Sequence, residues 1–302
     1  MHSVNTIKMT AFLIMNCAAI VAFLCSFTFG IKSEPQCPWR NGLACGGARP
    51  LLALTAFWAA LMCYRFFLRK SDLARAAEAL SAALRAEFSD RHNIAPSSSV
   101  AVVTPGPVPG SREVAMMRWG LVPSWARSPE ANSPSLANAR ADSLETKPSF
   151  RAPFRRHRCI LPAGGFFEWE SLSGGRKQPW LFRRTDGAPL LFAGIWDQWK
   201  GSDGRHIESC AIVTTEPNSL VGALHDRMPV CLQPDEAIRW IETAEASAPG
   251  LASLLRPAPD PLLECFRVDP RMNSVRVDDP ACLAPLSPPE DAPGDQLPLG
   301  LE

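Results

Sequence analysis

Between Arg158 and Thr215 four short stretches, RCILPAGGFFEWE, PWLFRRT, PLLFAGIWDQW and SCAIVTT, follow one another with Gly, Pro, Asp and Ser turns between them. Each is rich in β-branched or aromatic residues, as strands are. Strands in series with few helices between them predict an α+β fold, not a doubly wound one. The expected architecture is a single domain on a curved, mostly antiparallel, barrel-like β-sheet with peripheral helices.

Helices belong at the margins of that sheet. The stretch SDLARAAEALSAALRAEF, residues 71–88, places Leu73, Ala76, Ala77, Leu80, Leu84 and Phe88 at helical spacing. Ser71 is a suitable N-cap, and Asp72 suits the first turn. DRHNIAPSSSVAVV then reads as a loop entering a strand, with Pro96 ending any helix. Short helices are expected again at NSLVGALH and PDEAIRWIE. No internal repeat is present.

The ends differ from the middle. Residues 9–31 are apolar and flanked by Lys8 and Lys32, long enough to span a bilayer. A second, shorter apolar run, PLLALTAFWAALMCY, follows Arg49. The first 61 residues are therefore a membrane anchor, a removed segment, or an extension from a wrongly assigned start. Residues 62–283 form the expected domain, and residues 284–302 a Pro-rich, acidic, disordered tail.

A formal net charge of +1 with 20% charged residues excludes general disorder and a strongly basic tail, but allows a local basic groove. Ten cysteines occur without any C-x-x-C or Cys/His ligand spacing, so neither a disulfide framework nor a zinc site is expected. Cys159, Cys210 and Cys231 lie in apolar runs and read as buried free thiols of a reducing compartment.

Several stretches set polar groups in apolar surroundings: MRWGLVPSWA (117–126), NARAD (138–142), GGFFEWE (164–170) and HDRMPV (225–230). Together with MCYRF and NIAP, in this order, they resemble the SOS-response-associated peptidase (SRAP) family from Met62 to about Leu283. The resemblance implies a protein that shields abasic sites in single-stranded DNA through a covalent DNA–protein crosslink. It also implies a peptidase activity that frees the chain's own N-terminus.

The chemistry of an N-terminal cysteine fits that role. An abasic site equilibrates with an open-chain aldehyde, and an amine condenses with it to a Schiff base. A thiol two carbons from that amine can then close a five-membered thiazolidine. An α-amine titrates near 7.7–8.0, so a useful fraction is neutral at physiological pH. An amide nitrogen within the chain has no such reactivity. Cys63 is therefore the expected nucleophile only if the peptide bond before it is absent.

The remaining assignments come from the resemblance. Glu168, between Phe167 and Trp169, becomes a catalytic carboxyl, whose pKa burial would raise. Alternation puts Glu168 with Phe166 and Glu170 on one strand face. His225 becomes the acid–base group that favours the open aldehyde, with Asp226 a surface residue. Asn138 holds the Cys63 terminus or the sugar. Arg65, Arg118, Arg140 and Arg155 are expected on DNA phosphates, with Trp119 as a stacking surface and Trp125 in the core. Asn93 and Pro96 match a loop lining the DNA cleft. Tyr64 stands where the family has Gly, and Asp142 where it commonly has Glu.

The expected partner is single-stranded DNA containing abasic sites, bound by a cytoplasmic, nucleoid-associated monomer without metal or organic cofactor. Two other readings stay open: a membrane-anchored DNA-binding protein held by residues 9–31, and a cysteine peptidase acting on other proteins.

Overall fold

The computed structural model describes residues 65–85, 87–129, 136–243 and 248–286. The apolar extension, Cys63, Tyr64 and nearly all of the acidic tail lie outside them. In chain order the elements are β1 (Phe66–Leu68), α1 (Lys70–Ala79), β2 (Ala82–Leu84), β3 (Arg91–Ile94), β4 (Ser99–Pro105) and β5 (Arg112–Trp119). They continue with β6 (Asn138–Arg140), α2 (Pro148–Arg156), β7 (Arg158–Ala163), β8 (Gly165–Ser171), β9 (Lys177–Arg184) and β10 (Leu190–Lys200). The last are β11 (His206–Thr215), α3 (Ser219–Gly222), β12 (Met228–Pro229), α4 (Pro234–Glu242), α5 (Ala248–Ala252) and β13 (Leu263–Arg267).

Strands β5, β4, β7, β10 and β11 pair in series, and a parallel contact between β11 and β5 closes the ring. That closure joins Ser209 to Arg118 and Cys210 to Trp119. The result is the expected barrel-like sheet, mostly antiparallel, in an α+β domain. Strands β2, β6 and β12 are added at its edges, β2 and β6 in parallel. A second, antiparallel sheet runs β13-β9-β8-β1-β3.

The stretch RCILPAGGFFEWE, a single segment by composition, is two strands in different sheets, because the chain crosses at Gly164. A Cβ at Gly164 would sit 2.1 Å from the Phe67 ring, and one at Gly165 would sit 2.4 Å from the Phe182 carbonyl oxygen. Only glycine allows the two backbones to pass so closely. Between the sheets, Phe66 meets Trp119 edge-on at 5.1 Å; within the second sheet, Phe166 stacks on its cross-strand neighbour Phe182 at 5.0 Å. Phe192 of the barrel closes on both Phe66 and Phe166. These rings are all buried and join the two sheets into one apolar core.

Three local expectations are corrected. The helix expected over 71–88 ends at Ala79; Ser81 takes a left-handed φ of 48° and Ala82–Leu84 leaves as a strand beside β5. Pairing with an open barrel edge outweighs the helical preference of an alanine-rich run. The N-cap is Arg69, not Ser71, and Asp72 accepts the Arg69 backbone N–H at 3.2 Å and its guanidinium at 2.8 Å. Arg91–Ile94, expected as loop, is a strand against β1, and the turn comes only at Pro96 and Ser97. Among the described residues no helix is long and apolar enough to cross a membrane.

Candidate functional site

Asn138 opens β6, which runs parallel to β11 with Asn138 opposite Ile212 and Arg140 opposite Thr214. Its position is set by Ala137, whose carbonyl accepts both the Trp119 indole N–H and the Ile212 N–H at 2.9 Å. Asn138 is buried, whereas Arg140 emerges and grips Asp142 with two guanidinium nitrogens, at 3.2 and 2.6 Å. That pairing holds the Asp142 carboxyl below its ordinary pKa and raises that of Arg140. The shorter Asp142 therefore still reaches its arginine.

On the other side of Thr214 lies β12, and just before it stand His225 and Arg227. The Arg227 guanidinium donates to the Thr214 carbonyl at 2.9 Å, and the Arg227 backbone N–H donates to His225 Nδ1 at 3.0 Å. The same Nδ1 lies 3.1 Å from the Arg227 carbonyl, so Arg227 holds the imidazole through both of its backbone groups. The His225 side chain is only 13% exposed, while Asp226 beside it, at 3.3 Å, is 74% exposed. Burial and the nearby Arg140 both push the Arg227 pKa down, so the two guanidiniums share one corner with Asp142, Asp226 and Glu216.

Glu168 is 2% exposed on β8, and like Phe166 it belongs to the face turned from Phe167 and Trp169, as alternation requires. The Phe167 N–H donates to the Arg65 carbonyl at 3.1 Å, so the described chain starts alongside Glu168. The Phe66 and Trp119 rings connect this point to Ala137 and Asn138. Cys63 itself lies outside the described residues.

The expected DNA-contacting residues separate into groups. Pro96 is half-exposed in a turn pinned to the end of β5 by the Ser97 N–H to the Trp119 carbonyl and the Trp119 N–H to the Ser98 carbonyl. Arg118 is half-exposed at the same end, in register with Ser99 and Ser209. Arg65 is half-buried, donating to Asn93 Oδ1 at 3.0 Å and standing over the Trp169 ring. Arg155 is exposed in the last turn of α2, facing the opposite end of the β4–β5 hairpin.

Two of those expectations are corrected. Asn93 does not line a cleft: it is 2% exposed, and its amide donates to the carbonyls of Met272, Ser274 and Val277. Trp119 is 1% exposed and packed on Phe66, so it offers no stacking surface. The tryptophan expected in the core, Trp125, is 61% exposed. Its loop is nevertheless fixed: Ser124 N–H donates to Asp197 at 2.8 Å, and the Trp199 indole donates to the Ala126 carbonyl at 2.7 Å. Arg227, which stands inside HDRMPV beside His225, is a further candidate at this corner that the sequence expectations do not include; its place in that motif is the available signal.

The described thiols are poor nucleophiles. Burial raises the pKa of Cys159, Cys210 and Cys282, and pushes Cys231 up to about 12 and Cys265 up to about 11. Cys231 is half-buried by exposure, not fully buried as expected. No cluster of three His, Cys, Asp or Glu side chains suited to a metal occurs among the described residues.

Comparison with known proteins places these motifs in context. The SOS response associated peptidase (SRAP) family matches residues 62–275. The abasic site processing protein YoaM of Bacillus subtilis is 35% identical over 193 residues, 64% of this chain and 83% of that protein. The abasic site processing protein HMCES of Gallus gallus is 34% identical over 193 residues, 56% of each chain. A crystal structure from Bacteroides thetaiotaomicron superposes with a TM-score of 0.65 at 27% identity, covering 74% of this chain and all of that one.

Proposed function

Because the chain belongs to the SOS response associated peptidase family, we propose that it processes abasic sites in single-stranded DNA through a crosslink formed by Cys63. The Cys63 α-amine attacks the aldehyde carbon of the open sugar, and loss of one water gives an imine. The thiol sulfur then adds to the imine carbon, its proton passes to nitrogen, and a thiazolidine closes. Net loss is one water, and no oxidant or metal is required.

The side chains divide this work. Glu168, buried beside the start of the described chain, exchanges protons as the carbinolamine loses water. His225, held through Nδ1 by the Arg227 backbone, gives a proton to the sugar ring oxygen from its imidazolium form, becoming neutral imidazole, and so favours the aldehyde. Asn138 orients the amine or the sugar by hydrogen bonds. Arg140 and Arg227 hold flanking phosphates, with Arg118 and Arg65 nearer the strand's approach, and Trp125 stacks on a base. Pro96 sits at the edge of the same cleft.

The observation that carries this reading is the buried carboxyl of Glu168, one residue after the Phe167 N–H that bonds the carbonyl of Arg65, itself two residues after Cys63. The free amine arises by hydrolysis of the bond before Cys63, or by loss of Met62 from a chain started there. Incubating the chain from Met62 with abasic single-stranded DNA is expected to give a denaturation-resistant adduct that Cys63→Ala abolishes. An adduct that survives in the variant removes Cys63 from the mechanism. Intact mass of native protein checks the terminus: retention of residues 1–61 overturns the crosslinking reading.

A further inference from the structure

The loop that carries Trp125 is tied down at every second residue. The Val122 N–H donates to Ser209 Oγ at 2.8 Å, the Ser124 N–H donates to Asp197 Oδ2 at 2.8 Å, and the Ala126 carbonyl accepts the Trp199 indole N–H at 2.7 Å. The three pegs stand on neighbouring strands, Asp197 and Trp199 on β10 and Ser209 on β11, with Asp197 directly opposite Ser209. Residues two apart on a strand, and residues paired across strands, share one sheet face, so all three point the same way. The entry to the loop is held as well, by the Gly120 N–H on the Cys210 carbonyl and the Leu121 N–H on the Leu136 carbonyl.

Holding the loop in this way uses buried polar side chains: Ser209, Asp197 and Trp199 are all buried. A carboxylate at that depth is costly unless its oxygens are bonded, and the second Asp197 oxygen accepts the Gln198 N–H at 2.9 Å. Beneath the loop, Val122, Ala126 and Trp199 form a small apolar cluster with Ile207, separate from the main core. A connection between two strands needs no buried carboxylate. What the pegs present is Trp125, mostly exposed between the two tied residues Ser124 and Ala126. An aromatic ring on a loose loop would lose loop and side-chain freedom on meeting a base, and would bind more weakly for it. Pegging the loop in the free protein removes that loss.

We propose that Asp197, Trp199 and Ser209 are positioning residues for nucleic acid: they hold the 122–126 loop so that the Trp125 indole stands ready to stack on a base before the strand arrives. This rests on the reading of Trp125 as the stacking surface of a single-strand binder. Arg118 lies opposite Ser209 where β5 meets β11, so an arginine and the pegged tryptophan leave the same end of β5. A basic group near an aromatic face is the usual pattern of sequence-tolerant single-strand binding. The three pegs act on the strand only through Trp125.

The test is a double-mutant cycle on the full chain, read as affinity for an unmodified single strand. Ser209→Ala removes one peg with little change of shape, Trp199→Phe removes another while keeping an aromatic ring, and Asp197→Ala removes the carboxylate. Each is expected to weaken binding about two- to tenfold, the cost of ordering one side chain on contact. On a Trp125→Ala background the same substitutions should weaken binding no further, because they act only through that indole. A role confined to general stability would lower affinity equally on both backgrounds. That result overturns the proposal, as does unchanged affinity in all three variants. Hydrogen exchange of the backbone amides in 122–126, measured without DNA, should quicken in each variant; exchange as slow as in the parent also overturns it. If Trp125→Ala alone leaves affinity unchanged, the stacking reading fails and the proposal with it. If Trp125→Ala weakens binding while the peg variants do not, only the pegging fails.

Discussion

Trp119→Ala removes an indole that is 1% exposed, packs on Phe66 and donates to the Ala137 carbonyl, so it should lower stability by about 3–5 kcal/mol. Trp125→Ala removes a side chain that is 61% exposed, and should change stability by less than about 0.5 kcal/mol. It should instead weaken single-strand binding by about 1–3 kcal/mol, the usual cost of losing one stacked base. Denaturant unfolding and a DNA titration on both variants separate the two roles. Glu168→Gln keeps the shape of a buried side chain but cannot carry a proton, so the crosslinking rate at saturating DNA should fall by about 10²-fold or more. Affinity for unmodified DNA should hold, which single-turnover kinetics beside a binding curve would show. Both tryptophans stand in one motif, MRWGLVPSWA, and composition does not distinguish them. The strand register that turns Trp119 inward and the turn that turns Trp125 outward are tertiary facts.

Among the elements, β3 depends on a segment far along the chain. Asp278 accepts from the Arg91 guanidinium and from the backbone N–H groups of His92 and Asn93, while Asn93 binds three carbonyls of residues 272–277. Arg65 joins the same knot through Asn93 and the Met272 carbonyl. Burial pushes the Asp278 pKa up, but the His92 N–H, the Arg91 guanidinium and the Asn93 N–H together outweigh it and hold the carboxyl below its ordinary value. A carboxyl depressed on folding stabilises above its unfolded pKa near 3.9, and that contribution fades as pH falls through the folded value. Asp278→Asn should therefore be less stable than the parent at pH 7, with the gap closing below about pH 4; urea midpoints at pH 7 and pH 3 measure this. The helix expected over 71–88 shows the converse limit of local patterning. Its spacing holds for Leu73, Ala76 and Ala77, which are buried, yet Ala82–Leu84 leaves the helix for a barrel edge that no local pattern displays.

For the whole molecule, the two sheets share one core while the candidate site residues Asn138, Glu168 and His225 come from segments far apart in sequence. The proposed mechanism has a neutral α-amine as the attacking group, so the crosslinking rate should rise from pH 6 to about pH 8 and then level as that amine finishes titrating near 7.7–8.0. A rate flat across this range at saturating DNA would point to a different nucleophile. The sequence by itself determined the α+β class, the strand-rich middle, the helix at 234–242 and the order of motifs that marks the family. These follow from local composition and turn chemistry, which act over a few residues. Only the tertiary structure decided that β11 closes on β5, that the chain crosses between sheets at Gly164, and that Asn93 and Trp119 face inward while Trp125 and Arg227 belong to the surface and the site. It also set Arg155 beside the tip of the β4–β5 hairpin, at the end of β5 opposite Trp119. Each of those outcomes depends on which distant strand lies alongside, and long-range pairing leaves no periodic signal in the chain that makes it.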